Sequence, residues 1–102
     1  MSYLEKTFFP HLRLTILRVL NSAPDKRANA SMLADACTVY GLGTTREQVR
    51  DQLRWLEEKA LVVIDEIGAA DLMVAHLTES GSYVAEGKRK IDGIKQPNNW
   101  AR

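Results

Sequence analysis

The stretch TTREQVRDQLRWLEEKALVVIDEI, residues 44–67, changes periodicity half-way along, and that change limits the folds open to this chain. Up to Lys59 the apolar positions Val49, Leu53 and Leu56, with Ala60 following, recur at helical spacing and share one face. From Leu61 onward a β-branched run takes over, which reads as a strand across 61–67. GAAD at 68–71 is a short turn, and residues 72–77 return as a second strand. A helix therefore runs straight into a β-hairpin. Thr44 with Glu47 forms a capping box, placing that helix at 44–59.

The elements before it follow from turn chemistry and spacing. Ser2 with Glu5 fits a capping box, and Tyr3, Leu4, Phe8 and Phe9 form an aromatic and apolar arm over residues 1–9. Pro10 is suited to opening a helix that continues as HLRLTILRVLNS. In it Leu12, Ile16, Val19 and Leu20 share a face, whereas Leu14 and Leu17 lie well away from it. NSAPD at 21–25 is a turn, and RANA at 27–30 is a short connector open to extended backbone. Ser31 is the expected N-cap of a second helix to about Tyr40, burying Leu33, Ala36 and Cys37. GLGT at 41–44 breaks it. After the hairpin, Thr78 caps a short helix to about Ala85. The rest, 87–102, is basic and rich in turn formers and is expected to be loosely ordered.

Bulk composition narrows the function classes. A chain of 102 residues that is 45% hydrophobic suits one compact domain, expected at 10–86. A net charge of +1 gives no global attraction to nucleic acid, so any DNA contact must rest on local charge placement. The single cysteine, Cys37, excludes an internal disulfide framework and fits a reducing compartment. The longest apolar run, 60–64, is too short for a bilayer, and MSYLEKTFFP lacks a signal-peptide layout. A cytoplasmic protein without membrane contact is the expectation.

These elements, in this order, resemble a winged helix-turn-helix domain: α+β, mainly α, with three helices, a two-stranded hairpin wing and a short C-terminal helix. LRWLEEKALV at 53–62 resembles the L-x-x-L-x-x-x-G-L-V junction of winged-helix regulators, and LTESG at 77–81 their L-T-x-x-G. Ala60 departs from the first pattern, standing where glycine is usual. It must avoid a left-handed cap or bear modest strain there. The chain also resembles small uncharacterised proteins of Mu-like phages and prophages. The matching residues are RLTILRVL at 13–20, RAN at 27–29 and GIKQP at 93–97. That likeness implies a genome context and not an activity.

The winged-helix resemblance implies that helix 44–59 enters the major groove of double-stranded DNA. On a helical wheel Glu47, Asp51 and Glu58 oppose the core face, with Arg54 and Trp55 beside them and Arg46 and Arg50 nearer the boundary. Arg46, Arg50 and Arg54 make a slanting basic stripe. In the functional reading Arg46 and Arg50 pair with guanine while Thr44, Thr45 and Gln48 touch phosphates or bases. In the bland reading the face is solvated and self-compensating. The hairpin, flanked by Asp65, Glu66 and Asp71, is too acidic to grip phosphate. Lys88, Arg89 and Lys90 could track a DNA backbone or simply solubilise the tail.

Other sites are sparse. His11, His76 and Cys37 lack metal-ligand spacing, Gly41-Leu42-Gly43 lacks the rest of a phosphate loop, and no nucleophile–base pair is visible. No enzyme activity, metal or cofactor is expected. Trp55 either packs on the arm or hairpin, or contacts a partner. Phe8, Phe9, Leu14 and Leu17 make a second apolar surface, suited to a homodimer or to the arm folding back. The expected function is a DNA-binding transcriptional regulator or accessory factor of phage type. The alternative is an interaction module that binds a phage or host protein and reads no bases.

Overall fold

Helix α1 (Phe9–Ser22) is the element around which the rest of the chain is laid. In the computed structural model, which describes residues 2–68 and 72–97, Pro10 sits in its first turn, where a missing N–H costs nothing. One π-helical turn, Leu4–Phe8, precedes α1 and buries none of its residues. The Glu5 N–H donates to Ser2 Oγ at 3.2 Å, one half of the expected cap. Helix α2 (Ala30–Val39), helix α3 (Arg46–Glu58) and a later helix and strand all pack on α1. Cover from several directions suits a helix that is apolar on more than one side, and it corrects the reading of Leu14 and Leu17 as part of a second, partner-facing surface. Leu14 and Leu17 are 6% and 0% exposed and belong to the chain's own core, so they offer no surface to a second protein. Val19, expected inside, is only half-buried.

The connector after α1 is a strand, β1 (Arg27–Asn29). Asn29 ends it and caps α2, its side chain accepting from the Met32 N–H at 2.8 Å, so α2 begins ahead of the expected Ser31. β1 lies along strand β3 (Leu72–Leu77), whose other edge pairs with β2 (Val62–Ile67), giving an antiparallel sheet of order β1-β3-β2. The sheet is thus three-stranded among the described residues, one strand more than the hairpin expected. Three residues are too few to show a two-residue period, and their partner lies far along the chain. Val62, Met73, Ala75 and Ala28 are buried, while Val63, Asp65, Ile67 and Arg27 face solvent. The expected turn residues 69–71 fall outside the described residues.

α3 stops where the periodicity changes. The Leu61 N–H donates to the Leu56 carbonyl and the Ala60 N–H to the Glu57 carbonyl, with Ala60 left-handed at φ 62°. This is the strained alternative of the two open to Ala60. Both flanking leucines are fully buried, which holds the turn in place. Helix α4 (Glu79–Ala85) is capped by Thr78 as expected, and Thr78 Oγ1 also donates to the Ala60 carbonyl at 2.9 Å.

Residues 87–97, expected to be loosely ordered, lie along α1. Ile94 is buried, the Lys95 N–H donates to the Pro10 carbonyl at 3.1 Å, and Arg13 Nη1 donates to the Gly93 carbonyl at 2.9 Å. The fold is α+β and mainly helical, with four α-helices and one three-stranded sheet among the described residues. None of those helices is long and apolar enough to cross a membrane.

Candidate functional site

The candidate site is the outward side of α3 together with β2. Val49, Leu53 and Leu56 are fully buried and Gln52 nearly so, which turns the polar residues outward. The capping box forms one residue later than the first threonine suggests. Thr45 Oγ1 accepts from the Gln48 N–H at 3.1 Å, and the Gln48 side chain accepts from the Thr45 N–H at 3.0 Å. Thr44 Oγ1 donates to the same Gln48 oxygen at 3.1 Å. Three of the polar residues assigned to DNA therefore hold the end of their own helix.

The arginine stripe leads to the hairpin. Arg54 Nη2 lies 3.1 Å from Glu66 Oε1, and Arg50 Nη2 lies 4.0 Å from the same oxygen. Arg50 is mostly covered, its side chain 15% exposed. One turn on, Glu57 Oε2 accepts from the Ile64 N–H at 2.9 Å, closing part of the open edge of β2. Arg46 is exposed and makes no ion pair among the described residues. Glu47, Asp51 and Glu58 are exposed as the wheel requires. Along α3, three arginines meet four carboxylates.

The other flank of α3 is occupied by α1. The Arg13 guanidinium lies 3.9 Å from the Trp55 ring centroid, and its Nε donates to Gln52 Oε1 at 2.7 Å. Burial lowers the Arg13 pKa from its ordinary value. Gly93 closes the stack. A Cβ there would stand 2.9 Å from Trp55, and the residue is left-handed at φ 92°. Trp55 is thus packed against Arg13 and the 87–97 segment, neither the arm nor the hairpin expected to cover it.

The remaining predicted residues are dispersed. Lys88 pairs with Glu86 at 3.0 Å, and Glu86 in turn accepts from Asn21 in the last turn of α1 at 3.1 Å. The Asn21 hydrogen bond, then Lys88, holds the Glu86 carboxyl below its usual range. Arg89 bonds Ser80, and Lys90 is exposed. Asn21 follows Arg13 by eight residues, about 12 Å along α1. The tail cations therefore begin well away from the level at which α3 meets α1. Phe8 and Phe9 are half-buried, with ring centroids 5.8 Å apart. Cys37 is buried and its thiol is pushed up to about 11. No three His, Cys, Asp or Glu side chains converge on a metal-sized site among the described residues.

No family model matches the chain. It is 39% identical over 85 residues to the uncharacterised protein gp26 of Escherichia phage Mu, a match covering 83% of this chain and 85% of that protein. The chain belongs to the Mu gp26 family. An uncharacterised protein of Haemophilus influenzae is 40% identical over 83 residues, covering 76% of this chain and 79% of its own length.

In this member of the gp26 family, sequence reasoning named Glu66 only as an acidic flank of the hairpin and missed its pairing with Arg50 and Arg54. Alternation contains the signal: Glu66 shares parity with Val62 and Ile64. It therefore lies on the α3 side of β2, just past the last apolar position. Arg13 carried no such signal, since its partners come from residues 52, 55 and 93.

Proposed function

We propose that this gp26 relative is a winged-helix module that works through protein contacts and does not read base pairs. The fold half of that reading is supported by the order α1–β1–α2–α3–β2–β3, with β3 central and α2 and α3 joined by a short turn. The functional half is carried by one observation: Glu66 faces both Arg50 and Arg54. For α3 to enter a groove, those arginines must exchange a neighbouring carboxylate for phosphate. Glu47, Asp51 and Glu66 would approach the duplex with them. DNA carries a charge every 1.7 Å or so of its axis, so each such carboxylate is repelled. A protein surface offering basic groups meets no such penalty.

The second reading, a DNA-binding regulator or accessory factor, is favoured by exposed Arg46 at the start of α3. Anisotropy titrations of random and phage-derived duplexes across salt separate the two. The expected result is no salt-sensitive binding at about 10 µM chain and low salt. Salt-sensitive binding that Arg46→Ala or Arg50→Ala weakens would overturn the protein reading in favour of DNA. A photo-crosslinker placed at Asp51 in phage-producing cells should yield a discrete protein adduct and none with DNA.

A further inference from the structure

The sheet ends in a strand with one free edge. In the order β1-β3-β2, β1 has three residues and β2 has six, so β2 offers the longer edge, about 20 Å. Antiparallel pairing fixes which groups point out from it. The Leu61 carbonyl accepts from the Thr78 N–H on the β3 side, and the Ile64 N–H turns the other way, to Glu57. By alternation Val62, Ile64 and Glu66 present their backbone N–H and C=O groups to the open edge. Among the described residues, the Ile64 N–H alone of these groups has a partner. That partner is a side-chain carboxylate, standing where the carbonyl of a neighbouring strand would stand.

The side chains beside the edge carry a pattern. On the outer face Val63 and Ile67, 51% and 54% exposed, flank Asp65, whose side chain is 62% exposed. His76 approaches Asp65 from β3 at 2.9 Å, on the side away from the edge. A strand laid alongside sets its own residues directly opposite these three. It fits when it reads apolar, basic, apolar at alternate positions. The same pattern turns away a second copy of β2. Antiparallel self-pairing centred on Asp65 or Glu66 sets that acid against itself, and centring on Ile64 sets Asp65 against Val63 and Glu66 against Val62.

Building on the reading that the chain works through protein contacts, we propose that the free edge of β2 takes an extended partner segment as an antiparallel fourth strand. The segment places a lysine or arginine opposite Asp65, and one of its carbonyls replaces Glu57 on the Ile64 N–H. The probe is the capped peptide Thr-Val-Thr-Lys-Thr-Val-Thr, titrated into the isotope-labelled full chain and followed by NMR. The amide signals of Ile64 and Glu66 should move most, with half-saturation at about 1 mM peptide. N-methylation of the two threonines beside the lysine removes the amides that face β2 and should abolish the shifts. N-methylation of the lysine, whose amide faces away, should leave them. Glutamate in place of the lysine should weaken binding about fivefold, and Asp65→Lys should reverse that preference. Asp65 is exposed, so circular dichroism should show the variant folded. No shift at Ile64 or Glu66 by about 5 mM peptide overturns the proposal. So does binding that is indifferent to the position of the N-methyl groups or to the charge swap. The peptide titration reads β2 and the duplex titration reads α3, so failure at the edge and failure of the protein reading are told apart.

Discussion

Gly81→Ala tests the joint that fixes α4 to the end of α3. A Cβ at Gly81 would stand 2.2 Å from the Leu61 carbonyl oxygen and 2.6 Å from Leu77 Cδ1. The leucine methyl can swing aside, but the carbonyl cannot, because it accepts from the Thr78 N–H at 3.1 Å and its residue is fully buried. A carbon–oxygen contact needs about 3.3 Å, so α4 must retreat by about 1 Å. That movement strains two bonds at the same joint, Thr78 N–H to Leu61 and Thr78 Oγ1 to Ala60. Overpacking costs about 1–3 kcal/mol and two weakened hydrogen bonds about 1 kcal/mol each. Alanine's better helix propensity returns about 1 kcal/mol. The net expectation is a loss of about 2–4 kcal/mol, a large share of the stability of a domain this size. Urea unfolding followed by circular dichroism measures it. A variant within about 0.5 kcal/mol of wild type would show that the joint yields freely, and the argument from close approach would be wrong.

The same joint gives an opposite prediction at its other side. Ala60 is left-handed, so Ala60→Gly should stabilise the chain by about 0.5–1 kcal/mol in the same urea assay, and no gain would refute strain at that cap. Arg13→Ala should remove the bonds to Gln52 and Gly93 and the stacking on Trp55, destabilising by about 2–3 kcal/mol. Trypsin should then cut sooner at Lys88, Lys90 and Lys95, and an unchanged cleavage rate would count against the clamp.

Much of the fold was legible because it is written in local periodicity. The shift from helical spacing to a β-branched run located the end of α3 and the start of β2 to within a residue or so. The caps were legible in kind more than in position. Thr44 with Glu47 and Thr45 with Gln48 both fit a capping box. The second is the one formed in a helix that buries Val49, Leu53 and Leu56. At the site, the exposure of Glu47, Asp51 and Glu58 followed from the wheel. The attachment of Arg50 and Arg54 to Glu66 did not, because it depends on β2 lying beside α3.

The sequence by itself therefore determined the helices, the hairpin and the charge balance of α3, since each arises from neighbours within a few turns or one strand pair. Only the tertiary structure decided that RAN is a third strand, that Leu14 and Leu17 are core, and that Arg13 clamps Trp55 to residues 87–97. Those outcomes depend on which faces of α1 are covered by elements distant in the chain. Periodicity tells that a face is apolar, and packing alone decides what covers it.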